Sequence, residues 1–356
     1  MTKFRGQRSN YRGRFRHYRL GGDTPRHVIF MLLAVLIVAA VLYLSKMVVD
    51  NLLSSDHDVL LGATFSKKYA QELGLDWRTT YLASLDDLGV KALRLPVYWD
   101  DIEPSFGKFD FSDVDWQLAE ARKRGVRVIL AVGMKLPRWP ECHVPTWAVE
   151  LDEEVLKERT LQMLRKVVTH FSTSTDFFAW QVENEPLFPY GECPEADIKL
   201  LQREIAVVRS ADSRPVIITE SGELSDWVRS AILSDRLGIS TYRSVWNRYV
   251  GHFFWPTTPR WYSGRIAAVS GLVDEVFVSE LQAEPWAPGP IVWTDVDYQL
   301  TLMNPERLRS NVSFVRRMGV TEAYLWGIEW WYWLKEQGRP EMWETGQELF
   351  SPSASE

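Results

Sequence analysis

From Leu60 onward, short apolar runs rich in β-branched residues alternate with longer amphipathic stretches. The runs are VLLGATF (59–65), VKALRLPV (90–97), VRVILAV (126–132), FFAWQVE (177–183), PVIIT (215–219), LGISTY (237–242), VFVSE (276–280) and EAYLWGI (322–328). Between them lie DWQLAEARKRG (115–125), EEVLKERTLQMLRKVVTHF (153–171), EADIKLLQREIAVVRS (195–210) and NPERLRSNVSFVRRMG (304–319), which carry helical spacing. Continuous apolar strands separated by helices predict a parallel sheet covered on its faces by helices. Eight such units over about 300 residues predict an α/β fold of the (β/α)8 TIM-barrel type. A doubly wound open sheet is the rival arrangement. No GxGxxG or Walker pattern follows the first run, which counts against that rival.

A different pattern precedes the barrel. VIFMLLAVLIVAAVLYL, residues 28–44, has no charge, glycine or proline and no amphipathic period. It reaches the lower limit of a bilayer span, roughly 17–25 residues at ~1.5 Å each. Its lack of period disfavours a buried core helix. Basic residues before the run and Asp50, Asp56 and Asp58 after it predict a cytoplasmic N-terminus and an extracytoplasmic remainder. Ala39-Ala40 makes a poor cleavage site and the basic lead is long for a signal peptide, so an uncleaved signal anchor is expected. The expected organisation is a basic cytoplasmic tail at 1–26, a transmembrane helix at 27–49, a linker at 50–58 and the barrel at 59–350.

Charge changes the picture of partners. The chain of 356 residues has a net charge of −6, yet residues 1–26 carry eight Lys or Arg against the single acid Asp23. The rest holds 33 basic against 46 acidic residues, a net −13. An acidic body argues against nucleic acid as a partner, and the basic tail is better explained by the membrane run beside it. Two cysteines and six scattered histidines give no zinc-ligand spacing, so no metal and no cofactor is expected.

In a barrel, chemistry gathers at the C-terminal ends of the strands. Those ends supply Arg94, then Met134, Lys135 and Trp139, then Asn184 and Glu185, Glu220, Tyr242, Glu280 and Trp326. Acids, aromatics and one arginine converge there without a nucleophilic Ser or Cys. Two carboxyl groups of unequal pKa are what cleavage of a glycosidic bond requires. Glu185 precedes Pro186, where regular pairing must end, and Glu280 closes an apolar run. Their separation of 95 residues is three βα units of roughly 32 residues, consistent with strands four and seven.

Asn184-Glu185-Pro186, with Glu280, resembles glycoside hydrolase clan A, the superfamily of cellulases, mannanases, xylosidases and β-galactosidases. LRLPVYWDDIEPSFGKFDFSDVD (93–115) is similar to the W-x-x-I-E-P-x-x-G-x-F-D-F-S pattern of these barrels. The likeness covers residues 60–335. It implies that Glu185 is the acid/base and Glu280 the nucleophile of a retaining β-glycoside hydrolase. It also implies that Asn184 holds the sugar 2-hydroxyl, that Arg94 and Tyr242 orient Glu280 and keep it ionised, and that Trp326 forms the floor under the reacting sugar. The carboxyl groups should then stand ~5–5.5 Å apart. The expected partners are an oligo- or polysaccharide substrate, from cell-surface or environmental glycans, and the membrane through residues 27–49. A catalytically inactive glycan-binding barrel and a transglycosylase are the alternatives; a lyase or isomerase would want a metal or Schiff-base lysine pattern that is absent.

Glu183 is read as a structural neighbour one pleat deeper than Glu185, paired with a base such as Arg94 or Lys135. Glu284 is a rival nucleophile, and Glu220 is expected to cap a helix or touch substrate. The long aromatic stretch YRSVWNRYVGHFFWPTTPRWY (242–262) is expected to be a functional loop. Its Trp246 and Trp255 either stack on sugar, as Trp139 would, or pack on each other or a membrane. Cys142 and Cys193, in neighbouring extracytoplasmic loops, are expected to form a disulfide.

Overall fold

The computed structural model describes residues 24–53 and 55–351. The chain divides into two units, Met1–Val49 and Asp50–Glu356. Helix Thr24–Leu53 carries an apolar run, Val28–Asp50, of 23 residues with mean hydropathy 2.9. Side chains from Val28 to Val49 are almost all exposed. By length and composition the helix is able to cross a membrane. Residues 1–23 of the expected basic tail lie outside the described residues.

In the second unit, eight parallel strands close into a barrel. They are β1 (Leu60–Thr64), β2 (Ala92–Val97), β3 (Arg127–Val132), β4 (Ala179–Val182), β5 (Val216–Glu220), β6 (Arg236–Thr241), β9 (Glu275–Gln282) and β10 (Glu322–Trp326). Two further strands, β7 (Ser244–Asn247) and β8 (Gly251–Phe254), form an antiparallel hairpin between β6 and β9. The barrel order is β1-β10-β9-β6-β5-β4-β3-β2, with β1 closing on both β10 and β2. This is the TIM barrel that the run pattern predicts. The stretch 242–262 differs from its reading as a loop, because a hairpin and the start of helix Pro259–Val269 occupy most of it.

Side-chain size fills the barrel interior. Ala92, Ile129, Ala179, Ile217, Phe277 and Tyr324 form one buried layer, the small alanines of β2 and β4 making room for the rings of β9 and β10. Below it, Arg236 pairs with Glu275 at 2.7 Å and Glu322 at 3.1 Å, and Arg127 reaches Glu322 at 3.1 Å. Ionic pairing at that N-terminal face is structural. Outside, the apolar stripes of helices such as Glu153–Phe171 and Ile198–Ala211 pack on the strands.

One irregularity aims the site. Ile239 pairs with Val278 but Ser240 pairs with Glu280, and on the other side Ala323 pairs with Val278 and Leu325 with Leu281. Strand β9 therefore holds one extra residue against both neighbours. A bulge of this kind resets the alternation of faces. Glu280 is consequently not at the strand end, as its reading from VFVSE supposes, but two residues inside it.

Candidate active site

Arg94, in the middle of β2, has no exposed surface and organises the layer above the apolar one. Its Nη1 donates to Glu280 Oε1 at 2.8 Å and to Thr64 Oγ1 at 3.4 Å. Its Nη2 donates to Asn184 Oδ1 at 2.6 Å, and Nε to Gln181 Oε1 at 2.6 Å. Tyr242 donates its hydroxyl proton to Glu280 Oε2 at 2.9 Å. Glu280 thus has a charged donor on one oxygen and a phenol on the other.

Glu185 sits in a different environment. It follows the end of β4 with φ of +46°, and its amide donates to Thr219 Oγ1 at 2.9 Å. Thr219 in turn donates to Asn184 Oδ1 at 3.1 Å, so β5 braces the loop that carries both residues. Burial and then the charge of Glu280 push the Glu185 carboxyl up to about 8, against a smaller opposing hydrogen bond from Ser240. Ser240 is also the register partner of Glu280. Ser240 therefore touches Glu185 through its side chain and Glu280 through strand pairing, and the charge of Glu280 is felt at Glu185.

The family described as Cellulase (glycosyl hydrolase family 5) matches residues 63–263, more than half of the chain. The chain belongs to glycosyl hydrolase family 5. No curated protein matches it. Among solved structures it is similar to an exo-beta-1,4-mannosidase from Opitutaceae bacterium strain TAV5, with TM-score 0.56 and 15% identity over 83% of this chain and 60% of that one. It is also similar to a beta-galactosidase from Halorubrum lacusprofundi, with TM-score 0.54 and 15% identity over 75% of this chain and 52% of that one. A GH5_18 protein of Bifidobacterium longum in complex with Manb1-4GlcNAc gives TM-score 0.56 and 15% identity over 83% and 79%. These likenesses show the barrel alone, and the chain spans only 52% and 60% of the first two structures.

Within this family 5 barrel, Glu183 departs from its expected pairing. Its carboxylate accepts from the backbone amides of Met134 at 2.8 Å and Lys135 at 2.5 Å, not from the Arg94 or Lys135 side chain. It also shares a hydrogen bond with Glu204, buried on helix Ile198–Ala211, and burial pushes it up to about 7. A φ of +59° turns Glu183 outward to the helix layer, while Asn184 meets Arg94 in the barrel. The adjacent glutamates are thus separated by face. Gly133 permits this, because a Cβ there would collide with the Glu183 carboxylate. Glu220 likewise points to the helices, accepting from Ser230.

Glu284, the rival nucleophile, is engaged elsewhere. It accepts from Arg138 and, at 2.8 Å, from the Trp326 indole. Arg138 also reaches Glu329 at 3.3 Å and lies between the rings of Tyr69 at 3.5 Å and Trp326 at 4.1 Å. One face of Trp326 is therefore covered by a guanidinium. Trp139 is 61% exposed and meets Tyr190 edge-on at 6.3 Å; Tyr190 meets Trp286 at 6.1 Å, and Trp286 meets Tyr242 at 5.2 Å. These four rings form an arc from the loop after β3 to the site. Trp246 lies in β7 and Trp255 directly after β8, both half-buried, and Trp255 packs edge-on against Phe253.

Cys142 and Cys193 are joined by a disulfide with Cα atoms 5.3 Å apart, tying the loop after β3 to the loop after β4. Sequence reasoning did not single out Arg138, Glu141 or Tyr190. Glu141 was within reach of inference, since it precedes one half of that bridge. Among the described residues, no group of three or more His, Cys, Asp and Glu could hold a metal ion.

Proposed function

We propose that this protein is a membrane-anchored retaining β-glycoside hydrolase. Glu280 attacks the anomeric carbon while Glu185 gives its proton to the departing glycosidic oxygen. Water, deprotonated by the same Glu185, then attacks the anomeric carbon of the glycosyl-enzyme, releasing the sugar and freeing Glu280. The reading rests on the unequal surroundings of the two acids. Glu280 has Arg94 and Tyr242 as donors, whereas Glu185 is raised to about 8 and so holds a proton at neutral pH. Asn184 would hold the sugar 2-hydroxyl, Trp326 would form the floor under the reacting sugar, and Trp139 would extend the binding surface outward.

The anchor would be helix Thr24–Leu53, and with the basic tail held in the cytoplasm the barrel would lie outside it. An oligo- or polysaccharide near the membrane is the substrate class. The test is a screen of aryl β-glucoside, β-galactoside, β-mannoside and β-xyloside with the full chain in detergent, reading the anomer released by NMR. Turnover giving the β-anomer first, lost in Glu280→Ala, supports the reading. Release of the α-anomer, or turnover that survives Glu280→Ala, contradicts it.

A further inference from the structure

A third carboxyl group lies in the same layer. Glu141 is buried, and its Oε2 accepts from Asn184 Nδ2 at 3.2 Å. Burial and the nearby charge of Glu280 push it up to about 8, while the Asn184 hydrogen bond and then the charges of Lys135 and Arg94 oppose that shift. Its backbone is held in an unusual state. Glu141 has φ of +75° and Arg138 has φ of +84°, in a loop closed by Leu136 N–H donating to Glu141 O at 2.8 Å and Glu141 N–H donating to Arg138 O at 2.8 Å. Two non-glycine residues in the left-handed region within four positions show that the surrounding contacts hold this backbone in one sparsely populated state. Gly191 is pressed against Glu141 so closely that any side chain there would collide with it, and the Cys142–Cys193 bridge fixes the next residue.

The orientation of Asn184 decides what this acid does. Asn184 Oδ1 already accepts from Arg94 and Thr219, so its amide cannot flip without losing both. Its Nδ2 must therefore face Glu141. An amide nitrogen has two protons, and Glu141 takes one. The other N–H and the Glu141 carboxyl are then a donor and an acceptor side by side. A group that both accepts and donates satisfies them together, as a hydroxyl does. A methylene does neither and leaves both buried polar groups unmatched.

We infer that Glu141 is a specificity-determining residue which, with Asn184, reads a donor-and-acceptor substituent at C2 of the reacting sugar. The inference rests on the proposed glycosidase reading. It selects 2-hydroxy sugars over their 2-deoxy analogues. At neutral pH the acid is largely uncharged and still accepts through its carbonyl oxygen, so three negative charges do not accumulate in the pocket.

The test uses the full chain in detergent, its best aryl β-glycoside among the four sugars above, and the 2-deoxy analogue of that glycoside. Glu141→Ala should lower kcat/KM on the 2-hydroxy substrate by roughly 10- to 100-fold, the scale of an unmatched buried hydrogen-bonding group. On the 2-deoxy analogue the same substitution should change kcat/KM by less than about threefold, since the interaction is already missing. Glu141→Gln, which keeps an acceptor oxygen and the side-chain volume, should recover most of the loss. Equal losses on both substrates would reduce Glu141 to a structural role and overturn the inference alone. If wild type turns over none of the aryl glycosides, the glycosidase reading fails and this inference falls with it.

Discussion

Arg94 donates to Glu280 across the barrel at 2.8 Å, from a side chain with no contact with solvent. The same guanidinium holds Asn184, so one residue of β2 fixes contributions from the β4 loop and from β9. Removing one partner of a buried ion pair leaves the other charge unsatisfied. Arg94→Met should therefore cost about 3–5 kcal/mol of stability, read by urea unfolding through tryptophan fluorescence. Arg94→Met combined with Glu280→Leu should restore much of that loss while leaving no activity. A double variant no more stable than the single one would contradict this.

Glu185 must carry a proton to act as the acid. With that group raised to about 8, kcat/KM should be flat through neutral pH and fall as pH rises through about 8. The charge of Glu280 is the second cause of the shift, after burial. Glu280→Gln should accordingly bring the Glu185 titration to lower pH, as followed by carboxyl NMR. An unmoved titration would mean that the two groups do not interact.

The Glu183–Glu204 pair links stability to pH. Both are raised by burial, Glu183 to about 7 and Glu204 well above the usual carboxylate range. The folded state then binds more protons than the unfolded chain, so stability is full below an ordinary glutamate pKa of about 4.3 and declines as pH rises toward 7 and beyond. Glu204→Gln can still donate to Glu183 and no longer needs to bind a proton. It should be more stable than wild type at pH 8 and flatten the slope between pH 5 and pH 8. A slope unchanged by the substitution would locate the linkage elsewhere.

The disulfide closes a span of 51 residues between two loops that border the site. Loop-closure entropy for such a span is on the order of 4 kcal/mol. Cys142→Ser with Cys193→Ser should lose an amount of that order in urea unfolding. Activity should fall more than stability explains, because Glu141 and Glu185 lie on the tethered loops.

Trp139 stands at the outer end of the ring arc and is mostly exposed. Trp139→Ala should raise KM for an oligosaccharide by about five- to tenfold, the scale of one lost stacking contact. Turnover of a short aryl glycoside should change by less than about twofold under the same principle. A matched loss on both would place Trp139 in folding rather than in binding.

The barrel was readable because its strands are continuous apolar runs. Strand β3 occupies Arg127–Val132 against a run at 126–132, and helix Glu153–Phe171 coincides with its amphipathic stretch. The β7–β8 hairpin was hidden because four-residue strands flanked by Trp, Tyr and Phe look like any aromatic loop. Asn184 and Glu185 follow the end of β4 as the run pattern implies, whereas Arg94, expected at a strand end, lies in the middle of β2. What escaped depends on backbone states and distant meetings that no local pattern encodes. The bulge in β9 appears only against its neighbours, and Arg138 meets Glu284 across 146 residues. Glu183 beside Glu185 looked like a charge conflict on one face. Two positive φ values, at Glu183 and Glu185, resolve it by turning the pair apart.

The central claim is that Glu280, rather than Glu284, forms the bond to the sugar. An activated 2-deoxy-2-fluoro β-glycoside of the best-turned-over sugar should trap that bond, and peptide mass mapping reads its position. The account predicts one added glycosyl group per chain on the peptide VFVSELQ, fragmenting to Glu280, with activity lost in step. Label on Glu284, or complete inactivation with Glu280 unmodified, would contradict it.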